Sequence, residues 1–172
     1  MTSILVTGDG MLRCGGRSFR AALGRGGIRA DKHEGDGATP AGDWPLRYLF
    51  YRPDHLARPA TALDAVPLRR DDGWCDDPAD GVHYNRFVRL PHPGRAEALW
   101  RADGLYDVIG VIGYNDAPPV PGRGSAIFLH VAAADYGPTA GCVALALPDL
   151  LALLLMVGAA TTISIRPEIV TR

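Results

Sequence analysis

Cysteine is scarce in this chain of 172 residues, and the three present, Cys14, Cys75 and Cys142, lie far apart. An odd, dispersed set excludes a disulfide framework, and without a CxxC pair neither a zinc knuckle nor a redox dithiol is expected. Net charge is equally small, at −1, so no strong field points to nucleic acid or to an anionic membrane. Long apolar runs are missing too. The longest, from Leu145 to Ala160, is broken by Pro148, Asp149 and Gly158, too interrupted for a membrane span. The start, Met1 to Gly8, has neither a basic region nor an extended apolar one, so it reads as a first strand and the protein as cytoplasmic. A leader removed upstream would make it periplasmic. No glycine-rich loop ends in the GK[ST] of a phosphate cradle.

What the chain has in abundance is glycine (21) and proline (14), about a fifth of all residues, with no low-complexity tract. That richness predicts a turn-rich, mainly β architecture, and the absence of linkers and repeats predicts a single domain over residues 1–172. Strands are expected at Ser3–Val6, Met11–Cys14, Arg17–Ala22, Trp44–Tyr51, Phe87–Leu90, Leu105–Tyr114, Ser125–Ala132, Val143–Ala146 and Thr161–Ile165. Gly8-Asp9-Gly10 reads as a hairpin turn, Trp74–Pro78 as a turn and Glu97–Arg101 as one helical turn. A helix is expected from Pro148 to about Val157, with proline in its first turn and Gly158 as its stop. The polar stretch from Lys32 to Gly42 reads as a solvated loop between strands.

One stretch carries chemistry. Gly124–His130 is an apolar strand that delivers a histidine, and twelve residues on Thr139-Ala-Gly-Cys142 presents a cysteine at the head of a second apolar run. A cysteine nucleophile needs its proton removed and its oxyanion held. His130 is the candidate base. The backbone amides of Gly141 and Cys142 are the candidate oxyanion donors, and Gly141 allows a sharp turn and a close approach. No carboxylate is well placed to orient His130, so a backbone carbonyl, that of Val131, is the candidate partner for its second nitrogen. The competing reading is a buried structural cysteine and a hydrogen-bonded strand-end histidine.

The segment from Gly124 to His130 followed by T139-A-G-C142-V-A-L145 resembles the L,D-transpeptidase (YkuD) family. Glu34-Gly-Asp-Gly-Ala-Thr-Pro-Ala-Gly42 is similar to that family's G-x-x-x-T-P-x-G loop. Gly113-Tyr-Asn-Asp-Ala-Pro-Pro-Val-Pro-Gly122 is similar to the approach to the histidine in its small, single-domain branch. The likeness spans about Ser3 to Ile165. It implies a twisted β-sandwich or barrel with one helix after the cysteine, no metal and no organic cofactor. It further implies that Cys142 attacks the carbonyl of meso-diaminopimelate in a peptidoglycan tetrapeptide stem or muropeptide, D-alanine leaves, and His130 serves as base and then acid. Water as acceptor makes an L,D-carboxypeptidase of muropeptide recycling, the favoured expectation. An amine makes an L,D-transpeptidase that forms 3–3 cross-links or exchanges D-amino acids. The third reading is an inactive relative that binds wall fragments. An acyl-enzyme at Cys142 would also admit covalent carbapenem inhibition.

Candidate substrate contacts are Thr139, Ser125, Asn115, Tyr114, Arg123, Asn85 and Arg86, with Tyr84 beside them, since Arg and Asn suit carboxylates and amides. Two positions depart from the family pattern. Ala140 stands where many members have histidine, and Ala144 where many have arginine. Sortases share the His-before-Cys order but need an arginine soon after the cysteine, and the next here is Arg166. Papain-like wall amidases place the cysteine first.

Overall fold

The structure, a computed structural model, describes residues 2–168. It begins with a meander of β1 (Ser3–Thr7), β2 (Met11–Cys14) and β3 (Arg17–Arg20), joined by two tight turns. The first is the expected Gly8-Asp9-Gly10 hairpin turn, where Gly10 N–H donates to Thr7 O at 3.0 Å. At the second, Gly15 and Gly16 both take positive φ (53° and 78°), the twist that two-residue hairpins favour. Two short strands, β4 (Ile28–Arg29) and β5 (Thr39–Pro40), pair in parallel and bracket the loop between them. The long β6 (Gly42–Tyr51) follows, with β7 (Ala65–Pro67) along its edge.

A separate three-stranded sheet comprises β8 (Asp72–Cys75), β9 (Arg86–Arg89) and β10 (Ala96–Ala98), in the order β10-β8-β9. The chain then returns through β11 (Val108–Ile112), β12 (Phe128–Val131), β13 (Val143–Leu145), the helix α1 (Leu147–Leu154) and β14 (Thr162–Arg166). The main sheet runs β13-β12-β11-β6-β14-β1-β2-β3. Its two ends meet: Ala22, just past β3, and Ala144, in β13, form an antiparallel bridge, and Gly24 bridges Thr139. The sheet is thereby nearly closed into a barrel.

Period-two alternation decides what fills it. Ile163 and Ile165 of β14, Ile4 and Val6 of β1, Leu129 of β12, and Val143 and Leu145 of β13 point inward and pack with Leu150, Leu153 and Leu154 of α1. Helix α1 starts as its Pro148 and Asp149 predict but ends at Leu154, a turn earlier than expected. The opposite face of β11 and β12 carries Ile109, Val111 and Phe128, which pack under Trp74, Leu99 and Tyr106.

Two local expectations are corrected here. Trp74 and Cys75 belong to strand β8 instead of a turn, because the Trp74 indole is buried edge-on against Phe128 at 5.2 Å. Glu97 belongs to β10 instead of a helical turn, because it pairs with Trp74 across the small sheet. Local helix propensity is a weak prior against such pairing. No helix among the described residues is long and apolar enough to cross a membrane.

Candidate active site

Strands β12 and β13 run parallel, with Leu129 opposite Val143, His130 opposite Ala144 and Val131 opposite Leu145. Leu129 and Val143 face the barrel interior, so His130 and Ala144 face outward, and Cys142 stands on that same outer face beside Phe128. A cleft of about 330 Å³ opens there, lined by both His130 and Cys142. The parallel pairing thus converts a separation of twelve residues in sequence into a shared wall.

The turn that carries Cys142 is tightly specified. Thr139 N–H donates to Leu23 O at 2.9 Å, and Thr139 O accepts from Arg25 N–H at 2.9 Å. The Thr139 hydroxyl donates to Cys142 O at 2.7 Å and accepts from Gly141 N–H at 3.1 Å. Gly141 has φ +136°, and a Cβ on it would lie 2.7 Å from Ala38 O. Glycine is therefore required on two counts, its conformation and its contact with the β5 approach. The Gly141 amide, expected as an oxyanion donor, is already engaged by the Thr139 hydroxyl.

Cys142 is buried. Its Sγ accepts from Phe128 N–H and donates to Ala126 O, both at 3.3 Å. Burial pushes its thiol up to about 12. The group is thus a neutral thiol at neutral pH. His130 is also buried, and its Nδ1 lies 2.9 Å from Val131 O. A carbonyl can only accept, so Nδ1 carries a proton and Nε2 keeps its lone pair. Desolvation lowers the His130 pKa below the ordinary imidazole value, against an opposing pull from the Val131 and Leu105 carbonyls. Tyr106 stacks edge-on against the imidazole at 5.2 Å, and its hydroxyl donates to Glu97. Burial raises the Glu97 carboxyl, partly offset by that hydroxyl.

The remaining walls are charged. Arg25, Lys32 and Arg101 supply positive groups, and Glu34, Asp76 and Glu97 negative ones. Ser125 Oγ donates to Glu34 Oε2 at 2.8 Å, and the Tyr84 hydroxyl bonds the same oxygen. The stretch from Lys32 to Gly42 is therefore no freely solvated loop. Its Lys32 is buried and pairs with Asp36 at 2.8 Å. Burial pushes the Asp36 carboxyl up, but the His33 N–H, the Lys32 ammonium and the Ala38 N–H outweigh it and hold the group at about 2. Glu34, Glu97, Arg101 and Tyr106 escaped the sequence reading. The likeness of residues 34–42 to a family loop was the one signal that placed Glu34 near the cysteine.

Of the seven expected substrate contacts, Thr139 and Ser125 line the cleft. The others do not. Asn85 is fully spent: its Oδ1 accepts from Trp74 Nε1 and Ala126 N–H, both at 3.0 Å, and its Nδ2 donates to Tyr114 O at 3.0 Å and Asn115 O at 2.8 Å. Asn115 pins its own loop through Val120 and Gly124. The Tyr114 hydroxyl donates to Arg123 O, and its ring packs on Trp44 at 5.0 Å. Arg86 and Arg123 are exposed and lie outside the cleft. Ala140 and Ala144 both line it.

A family model described as the L,D-transpeptidase catalytic domain (YkuD) matches residues 8–165. Among solved structures, L,D-transpeptidase 1 of Mycobacterium tuberculosis is 12% identical, with 96% of this chain and 58% of that one covered and a TM-score of 0.43. The LD transpeptidase LdtMt1 in complex with imipenem is 12% identical over 95% of this chain and 58% of that one, TM-score 0.44. The helical cell shape determining protein Pgp2 from Campylobacter jejuni is 13% identical over 99% of this chain and 49% of that one, TM-score 0.48. The chain therefore spans about half to three-fifths of the length of these structures. No curated protein matches it.

Proposed function

The chain belongs to the L,D-transpeptidase catalytic domain (YkuD) family, and on that footing we propose that it is a cysteine acyl-transfer enzyme acting on peptidoglycan stem peptides, with Cys142 as nucleophile and His130 as its base. The observation that carries this reading is the tautomer of His130. With Nδ1–H held by Val131 O, Nε2 keeps its lone pair, and His130 and Cys142 line one cleft.

In this reading the stem enters the cleft and displaces the thiol from Ala126 O. Sγ gives its proton to His130 Nε2 and bonds the carbonyl carbon of meso-diaminopimelate. The oxyanion takes the Cys142 amide, since the Gly141 amide is committed to Thr139. The C–N bond to D-alanine breaks as the imidazolium returns its proton to the leaving amine, and a thioester remains. Water, deprotonated by His130, then releases the tripeptide and restores the thiol. Arg25 and Arg101 hold the carboxylates that an arginine at position 144 would hold in many relatives. The cleft, at about 330 Å³, is at the small end for ligand sites, which suits one stem terminus and a water better than two stems. That favours L,D-carboxypeptidation, performed by the chain as one catalytic unit. Carbapenems, acylating agents by nature, are expected to modify Cys142 in the same way.

The test is incubation with a disaccharide tetrapeptide, read by mass spectrometry beside a Cys142→Ala variant. Loss of one D-alanine only in the unmutated enzyme supports carboxypeptidation. A 3–3 dimer or exchange of the terminal D-amino acid makes it a transpeptidase. No reaction in either sample overturns both and favours an inactive wall-fragment binder.

A further inference from the structure

Where β8 ends in the small sheet, Cys75, Asp80 and His92 bring a sulfur, a carboxylate oxygen and a ring nitrogen within 4.8 Å of one another. His92 Nε2 lies 2.9 Å from Asp80 Oδ2, and His83 Nδ1 lies 2.9 Å from that same oxygen. The two imidazoles meet edge to face with centroids 5.0 Å apart. Cys75 is fully buried, His92 is nearly so, and His83 stands at the surface. Three donors of three chemical kinds converge, and the Asp80 carboxylate that joins them also bonds the His83 ring at the surface.

We propose that Cys75, Asp80 and His92 bind a divalent ion of the zinc class. The lack of a CxxC pair argues only against a zinc knuckle, and the expectation of no metal comes from the family resemblance; the donors here are mixed and contributed by a strand end and two turns. Zinc bonds run roughly 2.0–2.1 Å to nitrogen and 2.3 Å to sulfur in tetrahedral sites, which sets neighbouring donors roughly 3.3–3.6 Å apart. The 2.9 Å contact between His92 and Asp80 then opens slightly, and the sulfur, within 4.8 Å of both, is in reach by side-chain adjustment. A thiolate and an imidazole select zinc or cobalt over magnesium or calcium, which prefer oxygen donors. On binding, the Cys75 S–H bond ionises, the metal–sulfur bond takes its electron pair, and the proton goes to solvent.

The position gives the ion a consequence. Asn85 N–H donates to Cys75 O at 2.9 Å, Asn85 Oδ1 accepts from Ala126 N–H, and Ala126 O accepts from the Cys142 thiol. A metal that ties Cys75 to His92 therefore fixes the segment on which the cysteine's own hydrogen-bond partner hangs.

The experiment uses the full chain, freed of any purification tag, in a Cys142→Ala background that removes the cleft thiol as a competing ligand. Cobalt titration is expected to give one ion per chain and a thiolate-to-cobalt charge-transfer band, with zinc displacing the cobalt and magnesium not. Cys75→Ser is expected to abolish the band, and His92→Gln to weaken cobalt binding at least tenfold. Absence of the band in the Cys142→Ala chain overturns the proposal, as does an undiminished band in Cys75→Ser. Should Cys75→Ser fail to fold by circular dichroism, His92→Gln decides, and unchanged cobalt affinity there overturns it. These readouts are independent of catalysis, so a failure of the enzymatic reading leaves them intact.

Discussion

Ala22 and Ala144 exchange backbone hydrogen bonds in both directions, Ala22 N–H to Ala144 O at 2.8 Å and Ala144 N–H to Ala22 O at 2.9 Å. This pair joins the two ends of the main sheet two residues beyond Cys142. The cysteine turn is consequently gripped from both sides, by β12 and by the chain leaving β3, through backbone bonds to which the Thr139 hydroxyl adds two of its own. Glycine is needed at 141, since it alone admits the approach of Ala38.

Gly141→Ala is therefore expected to be costly. It forces an L-residue to φ +136° and drives its Cβ to 2.7 Å from Ala38 O. The strain is of order 1–3 kcal/mol, which lowers the melting temperature of a chain of this size by roughly 2–12 °C. Thermal melting and turnover of the tetrapeptide substrate check it; an unchanged melt with full activity would show the turn to be more pliant than its contacts indicate.

The titrations of His130 and Cys142 predict a particular pH profile. Desolvation holds His130 below its ordinary value, so the imidazole remains a neutral base to lower pH than usual. The acid limb of kcat/KM is expected below pH 6.5, the ordinary imidazole value. With the thiol pushed up to about 12, no basic limb from Cys142 is expected near neutrality. His130→Gln should lower kcat by about 10²–10⁴ and erase the acid limb. A limb at or above 6.5 would contradict the neutral-pair assignment.

Asp36 carries a stability prediction. Its pKa of about 2 lies below the ordinary carboxylate value, so the unfolded chain binds more protons between the two. The contribution is present above about pH 4 and lost as pH falls towards 2. Allowing for partial solvent screening, it amounts to about 1–2 kcal/mol. Asp36→Asn should remove it, flattening the acid side of a chemical-denaturation series while leaving the slope above pH 5 unchanged.

Thr139 and Arg86 separate the cleft from its surroundings. Thr139→Val deletes the hydroxyl that holds Gly141 N–H and Cys142 O, and is expected to cost about 1–2 kcal/mol and at least tenfold in kcat, with Thr139→Ser restoring both. Arg86→Ala, outside the cleft, should leave kcat and KM within twofold. Steady-state kinetics on the three variants decides, and a raised KM for Arg86→Ala would return that residue to the substrate path.

What could be read from the amino acids followed the range of the interactions involved. Alternation in Ser3–Thr7 and Thr162–Arg166, the apolar run of Val108–Ile112, and proline then aspartate at the start of α1 are local signals, and those elements lie where they were expected. Trp74 and Glu97 were misplaced because the partners that make them strands, Phe128 and each other, are fixed only by tertiary pairing. At the site, His130, Val131 and Cys142 stood out because they share one motif and its flank. Glu34, Glu97 and Arg101 did not, since they reach the cleft from three separate loops or strands. Asn85, Tyr114 and Asn115 looked like ligand-binding polar groups, but buried amides and hydroxyls satisfy backbone first when a loop must be held together.

Strand β14 lies between β1 and β6, so the sheet has a gap at its middle until residues 162–166 arrive. During synthesis the amino-terminal meander and the histidine strand can each form early, but the cylinder that positions Cys142 has to wait for this late strand, and contacts of such long sequence separation are slow to form. A nascent chain halted before residue 162 would leave the facing edges of β1 and β6 unpaired. The barrel that carries Cys142 is thus completed only once β14 is in place.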